Sequence, residues 1–177
     1  SKEKVILYVG RFSPDKNVDI IIKAWEKIAP NHPEWVLEIA GDGEMRDSLH
    51  ALVRERAIPR VVFHGHVKNV SPLYNRAEYI VLASDCESQP CVLLESMMFG
   101  CYPIVFEFPA VRYLISSEKV GAVVSKHEEK ELLRELDKVI TKSINNKNKI
   151  KEINSYMKRF DVSGVVECWR SLLEGNF

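Results

Sequence analysis

Glu87-Ser88-Gln89-Pro90-Cys91-Val92-Leu93-Leu94-Glu95-Ser96-Met97-Met98-Phe99-Gly100 is the stretch around which this chain of 177 residues is arranged. It follows a short apolar run and opens a helix. Pro90 suits the first helical position, because its fixed φ is already helical and the N–H it lacks would have no partner there, so the helix is expected to begin at about Ser88 to Pro90. From Cys91 to Phe99 nearly every side chain is apolar, whichever face it occupies, which predicts a helix covered on most sides. Glu95 interrupts the pattern. A buried carboxylate is costly unless it is paired or hydrogen-bonded, so Glu95 needs a partner, either a Lys or Arg of the protein or the hydroxyls of a bound ligand. At the helix start the N–H groups of Cys91 and Val92 lack intrahelical acceptors and lie at the positive end of the helix dipole, an arrangement that attracts phosphate. A second carboxylate, Glu87, precedes that end.

Size and charge bound what the chain can be. A length of 177 residues fits one domain with a substantial core. Asp and Glu number 25, as do Lys and Arg, so there is no general electrostatic reason to expect nucleic acid or an anionic membrane as partner, and a phosphate site has to be local. Cys86, Cys91, Cys101 and Cys168 show neither Cys-x-x-Cys spacing nor the density of a disulfide-stapled secreted domain, and reduced cytoplasmic thiols are the simpler reading. No apolar run approaches the roughly 20 residues that span a bilayer, and the opening Ser1-Lys2-Glu3-Lys4-Val5 is unlike a signal peptide. That opening falls almost on a strand and lacks Met, so a fragment cut at a domain boundary is expected.

Strands and helices alternate along the rest of the chain. Val5-Ile6-Leu7-Tyr8-Val9, closed by Gly10, has the pattern of a strand buried on both faces of a parallel sheet. Arg11 emerges at its end, Ser13-Pro14-Asp15-Lys16-Asn17 is turn chemistry, and Ile20, Ile21, Ala24, Trp25 and Ile28 recur at helical spacing up to Pro30. A second strand is expected over Trp35 to Ala40, leaving through Gly41-Asp42-Gly43-Glu44 into a helix from about Met45 to Arg56. Arg46 stands where the dinucleotide fingerprint Gly-x-Gly-x-x-Gly needs its last glycine, so an ordinary NAD-binding reading loses its main support. Val61-Val62-Phe63 is a third strand, leading into His64-Gly65-His66-Val67-Lys68-Asn69-Val70. Two imidazoles with no Cys or carboxylate cluster nearby in sequence are too few for zinc, and no metal is expected. Ser71 to Ala77 reads as a short helix, Tyr79 to Ser84 as a fourth strand, Pro103 to Phe106 as a fifth and Val120 to Val124 as a sixth. His127 to Ile140 carries Leu132, Leu133, Leu136, Val139 and Ile140 on one stripe, an amphipathic helix, whereas Thr141 to Lys151, rich in Lys and Asn, is expected as a polar linker or frayed helix end. Ligands of open α/β sheets bind outside the carboxyl ends of the strands. Arg11, Val67 and Glu87 all follow such ends, so three segments converge on one crevice.

In this order the segments resemble a known family, the retaining nucleotide-sugar glycosyltransferases of family 4, also called glycosyl transferases group 1, built from two Rossmann-like domains in the GT-B arrangement. The likeness is to their C-terminal, donor-binding domain and covers almost the whole chain. The hallmark is Glu-x7-Glu before a helix that ends in small residues and Gly, followed by Pro and a strand. Here Glu87 and Glu95 are followed by Met97-Met98-Phe99-Gly100-Cys101-Tyr102-Pro103-Ile104-Val105. Gly10-Arg11 at the first strand end, Lys16 shortly after it and a Gly-rich turn at Gly41 to Gly43 match further family segments. Three departures stand out: Ser88-Gln89-Pro90 within the commonest Glu-Gly-Phe-Gly-Leu-Val form, Asn17 where Gly is usual, and Phe108 to Leu114 where Gly-Gly-x-x-Glu is frequent. Asn tolerates left-handed backbone better than most residues.

The resemblance implies an α/β fold, a single Rossmann-like domain over 1–177 with a mostly parallel sheet flanked by helices, one half of a GT-B fold. Residues 160–174 would form a terminal helix returning toward an absent N-terminal acceptor-binding domain. It implies a nucleotide diphosphate-sugar as ligand. Gly10, Arg11 and Lys16 would meet the diphosphate, and the two cations would stabilise the charge that develops as the nucleotide leaves. The backbone of Ser88, Gln89, Pro90, Cys91 and Val92 would cradle the same group. Glu87 would lie near the hydroxyls of the transferred sugar, Glu95 would accept hydrogen bonds from the ribose, and Val67 and Asn69 would border the base. Arg11, Lys16 and Glu87 are therefore the expected catalytic residues of sugar transfer to an acceptor in glycan or glycolipid biosynthesis, without metal or other cofactor, the chain alone being inactive. The expected location is cytoplasmic, no nucleic-acid partner is expected, and contact with the inner face of a membrane is expected only through the absent half. Two other classes stay open, a nucleotide-binding module without transferase activity and half of a sugar-nucleotide epimerase, which turnover and product identity would separate.

Overall fold

The apolar runs read as strands all belong to one parallel sheet. The structure is a computed structural model and describes residues 2–86, 90–109, 111–125, 127–142 and 146–160. Its strands are β1 (Glu3–Val9), β2 (Val36–Ala40), β3 (Val61–Gly65), β4 (Ala77–Leu82), β5 (Tyr102–Phe106) and β6 (Ala122–Val124). They lie in the order β3-β2-β1-β4-β5-β6, every neighbouring pair parallel. A parallel sheet is covered on both faces, which is why its strands read as continuous apolar runs; every residue of β4 and β5 is buried. The single doubly wound, Rossmann-like domain expected from the sequence is therefore present.

Seven helices accompany the strands among the described residues: α1 (Val18–Ile28), α2 (Arg46–Glu55), α3 (Ser71–Arg76), α4 (Cys91–Met98), α5 (Val111–Leu114), α6 (Glu129–Thr141) and α7 (Asn146–Met157). The chain moves outward from β1 to β3, returns to β4 and moves out the other way. Right-handed crossovers then put the helices of the two halves on opposite faces. On one face α1 packs against α6, and on the other α4 packs against α7. Trp25 and Ile28 of α1, with Leu132 and Leu136 of α6, are buried in the first of these layers. Burial of each such side chain contributes on the order of 1.5–3 kcal/mol. No helix among the described residues is long and apolar enough to cross a membrane.

Several expectations are corrected. Helix α4 is not covered on most sides: Leu93, Ser96 and Met97 are buried, but Cys91, Glu95 and the 67% exposed Met98 share an open face. Apolar composition alone could not show which stripe of the helix stays exposed. Pro90 is the residue before the helix and not its first turn, because its ψ of 60° is not helical; its carbonyl accepts the N–H of Leu94 at 3.2 Å. The end of the segment expected as a polar linker over Thr141 to Lys151 belongs to α7. Ile150, Ile153 and Met157 recur at helical spacing there, and Ile153 is fully buried. Gly100 allows that packing. Its φ of 74° turns the chain after α4, and a Cβ at this position would lie 3.1 Å from Ile150 Cγ2. Of the terminal helix expected over 160–174, Phe160 ends a short helical turn, Lys158–Phe160, and the remainder lies outside the described residues.

One buried carboxylate ties the free edge of the sheet together. Glu38 of β2 is 4% exposed, and such a group persists only when paired. Arg76 Nη2 donates to both of its oxygens at 2.5 Å, and His64 Nε2 lies 2.9 Å from Oε2. Arg76 also donates to Glu3 at 3.2 Å, so the start of β1, the middle of β2, the end of β3 and α3 meet in one polar knot. Arg76→Met should lower stability in urea unfolding by about 3 kcal/mol, since it leaves the carboxylate beside an imidazole alone, and adding Glu38→Leu should recover most of that loss. A single variant as stable as the parent would show that the knot is not holding the edge.

Candidate functional site

Between β1 and β4 the chain departs from the sheet in opposite directions, which leaves a crevice beyond the carboxyl ends of the two strands. A cleft of about 200 Å³ lies there, lined by Gly10 and Arg11 from the end of β1, Lys16 from the following turn, Leu82 and Ser84 from the end of β4, and Pro90, Cys91 and Val92 at the start of α4. A second cleft of about 290 Å³ adjoins it over the ends of β1, β2 and β3, with Asp42, His66, Val67 and Val70 in its walls. Gly10 and Arg11 border both.

Backbone contacts beyond the strands fix these walls. Gly10 N–H donates to Ala40 O at 3.0 Å, Phe12 N–H to Asp42 O at 2.9 Å and Gly41 N–H to Gly65 O at 2.8 Å. A Cβ on Gly41 would stand 1.8 Å from the carbonyl oxygen of Gly10, so the two strand ends can approach this closely only with glycine at that position. Tyr8 Oη donates to the carbonyl of Arg11 at 2.9 Å. The next segment makes one helical turn, Pro14–Lys16, and ends on Asn17 in the left-handed region (φ 50°, ψ 39°), the conformation for which Asn stands in for Gly. Asn17 does more than turn the chain. Its Nδ2 donates to Ala83 O at 2.9 Å and to Asp85 Oδ1 at 2.7 Å, while Asp85 N–H donates to Asp15 O at 3.0 Å. The loop after β1 is thereby tied to the loop after β4.

Positive charge gathers in the first cleft although the chain as a whole is neutral. Arg11 is exposed, and Lys16 has a side chain only 21% exposed, with its ammonium 3.5 Å from Asp15 Oδ2. Ser13 donates its hydroxyl to Asp15 at 2.6 Å and holds that carboxyl below its usual range, with the nearby Lys16 ammonium acting in the same direction. The start of α4 adds the positive end of its dipole. One turn further along the open face of α4, the carboxylate of Glu95 accepts a hydrogen bond from Tyr74 Oη at 3.2 Å. Burial, and then the Glu95 charge, push the Tyr74 phenol above its ordinary range, so it stays protonated and remains the donor.

The structure thus brings Gly10, Arg11, Lys16, Pro90, Cys91 and Val92 to one cleft and Val67 to the adjoining one. Asn69 is exposed and its Oδ1 accepts the N–H of Ser71 at 3.1 Å, at the start of α3. Glu87, Ser88 and Gln89 lie outside the described residues. The pair His64 and His66 is split, the first facing Glu38 and the second in the cleft wall. Sequence reasoning weighed His66 only as a metal ligand and Ser84 only as the end of the fourth strand. Ser84 carries the same signal as Arg11, a polar residue directly after a buried strand.

Residues 1–157 match the model of the family described as glycosyl transferases group 1. Over 174 residues the chain is 31% identical to a Campylobacter jejuni protein named GalNAc-alpha-(1->4)-GalNAc-alpha-(1->3)-diNAcBac-PP-undecaprenol alpha-1,4-N-acetyl-D-galactosaminyltransferase, a match that covers 97% of this chain and 48% of that protein. It is 26% identical over 179 residues to an uncharacterized glycosyltransferase of Haemophilus influenzae, covering 97% of this chain and 49% of the relative. The chain spans about half the length of these two relatives. Among solved structures, the pneumococcal O-GlcNAc transferase GtfA in complex with UDP and GlcNAc has the same fold over 98% of this chain and 36% of its own, with a TM-score of 0.82 at 20% identity.

The close approach of Gly10 and Gly41 gives a direct test of how the clefts are held. Gly41→Ala should force the ends of β1 and β2 apart and lower stability by about 1–3 kcal/mol, the range for an overpacked site, as read by urea denaturation. An unchanged midpoint would mean that the strand ends give way freely.

Proposed function

We propose, from the premise that the chain belongs to the glycosyl transferases group 1, that it is the donor-binding half of a retaining glycosyltransferase and holds a nucleotide diphosphate-sugar across the two clefts. The observation that carries the reading is the convergence of Arg11, Lys16 and the start of α4 on one cleft at the point where strand order reverses. In this reading the diphosphate lies against the α4 N-terminus between the two cations. The base reaches toward Val67 and Asn69 in the adjoining cleft, Glu95 accepts the ribose hydroxyls, and Glu87 positions the transferred sugar. The pneumococcal neighbour of the same fold is in complex with UDP, which supports a nucleotide as the class of ligand.

The proposed chemistry follows from charge. As the bond between sugar and diphosphate breaks, negative charge grows on the departing phosphate oxygen, and preorganised cations stabilise that state more than the ground state. Lys16 suits this role because its side chain lines the cleft and is only 21% exposed. The acceptor would bind on a second domain of a longer protein. Holding donor and acceptor in register supplies on the order of 7–11 kcal/mol, so the chain by itself should bind donor without transferring sugar.

Two measurements test the reading. Calorimetric titration of the chain with uridine, guanosine and adenosine diphosphates should show binding of at least one, and Glu95→Ala should weaken it while leaving inorganic pyrophosphate unaffected; no binding by folded protein at millimolar nucleotide overturns the assignment. In the complete enzyme Lys16→Ala should lower kcat by about 10²–10³, the loss typical of removing one charge-stabilising donor. Turnover that stays normal after this substitution and after Glu87→Ala would sink the mechanism even if nucleotide binding held.

A further inference from the structure

Ser84 follows the end of β4 and is 2% exposed. Its Oγ is buried without a hydrogen-bond partner, the one such side-chain atom among the described residues. Leaving a buried hydroxyl unpaired is unfavourable, and the residue that carries this one lines the cleft that holds Arg11, Lys16 and the start of α4. Its neighbours on either side are clamped. The carbonyl of Ala83 and the carboxylate of Asp85 both accept from Asn17 Nδ2, at 2.9 and 2.7 Å, and the backbone of Asp85 donates to Asp15 O at 3.0 Å. The backbone that carries Ser84 is therefore fixed, while the proton of its side chain is uncommitted.

We propose that Ser84 is a further ligand-binding residue of this cleft, its Oγ–H donating to a phosphate oxygen of the bound diphosphate; the inference rests on the reading of the cleft as a nucleoside diphosphate site. The surrounding charge selects the ligand atom. Beside two cations and the positive end of a helix, a ligand cation is repelled, an apolar group leaves the hydroxyl unpaired, and an oxyanion satisfies all four. The hydroxyl also adds something the cations lack. Ammonium and guanidinium groups attract the net charge of a phosphate from a range of positions, whereas a short serine on a clamped backbone donates to an oxygen in one place only, so it fixes where the diphosphate lies along the cleft.

Titration calorimetry under reducing conditions tests this, with inorganic pyrophosphate and uridine, guanosine and adenosine diphosphates added to the parent chain and to Ser84→Ala, alongside the melting temperature of each. The variant should melt no lower than the parent, since it loses no bond within the protein, and should bind pyrophosphate and the preferred nucleoside diphosphate about tenfold more weakly, the loss for one hydrogen bond to a charged group. Ser84→Cys keeps the shape with a much weaker donor and should show the same loss, which covers an Ala variant that fails to fold. Equal affinities in parent and variants overturn the inference, and so does a lowered melting temperature with unchanged affinity, the mark of a structural serine. Loss of nucleoside diphosphate binding with pyrophosphate binding intact overturns the phosphate assignment. Pyrophosphate binding that depends on Ser84 with no gain from any nucleoside supports the inference and overturns the nucleotide reading, and no binding of any anion to the parent overturns both.

Discussion

The parallel pairing of β1 with β4, Ile6 beside Tyr79 and Leu7 beside Ile80, is the constraint on which the site depends. Every crossover between parallel strands in this sheet turns the same way, so the helix that leaves β1 and the helix that leaves β4 lie on opposite faces and neither roofs the seam between the two strands. The strand ends stay open at that one place. Arg11, Lys16, Ser84 and the start of α4 reach a common cleft because they are the first residues past those ends. A sheet whose strands ran in chain order would cover this seam and would have no such cleft.

Openness alone does not make a binding site, since loops at strand ends are free to drift unless something ties them. Here they are tied by main-chain hydrogen bonds from Gly10, Phe12 and Gly41 across the ends of β1 to β3, and by Asn17, whose carboxamide spans from the loop after β1 to the loop after β4. Asn17 takes the left-handed backbone that glycine would take and adds two hydrogen bonds that glycine has no atoms to make. Two acidic residues of these loops already have partners: Asp15 accepts from Ser13, and Asp85 accepts from Asn17 and lies 3.3 Å from His127 Nδ1. Local positive charge thus coexists with a neutral chain.

Helix α4 joins the two functions of the fold. Its buried face, Leu93 and Met97, belongs to the core, and its open face carries Cys91 at the cleft and Glu95 on Tyr74. The Tyr74 hydroxyl orients a carboxylate that remains exposed, so Glu95 keeps acceptor capacity for a second partner. Because α3 and α4 each contribute one member of this pair, the position of Glu95 depends on how two helices from different crossovers pack.

Much of this was readable from local pattern. The six strands appear as β-branched apolar runs because both faces of a parallel sheet are buried; α1 and α6 appear through their apolar spacing, Arg11, Cys91 and Val92 through their places just past strand or at helix start, and Lys16 through the family resemblance. Spacing reports which side chains share a face, and a face is a local property of the chain. What covers that face is not local. The open stripe of Cys91, Glu95 and Met98, the seating of Ile153 of α7 in the core, the use of Tyr74 as the partner of Glu95, the approach of Gly41 to Gly10, and the isolation of the Ser84 hydroxyl each depend on an atom far away in the sequence. The sequence by itself determined the six strands, the helices with a clear apolar stripe, and the crevice at the strand ends with Arg11 beside it, because those follow from periodicity and from the rule that such sheets bind ligands at their carboxyl ends. Only the tertiary structure decided which of those groups already have partners inside the protein and which remain free to bind, because hydrogen bonding and burial are settled by contacts between segments that the chain brings together only on folding.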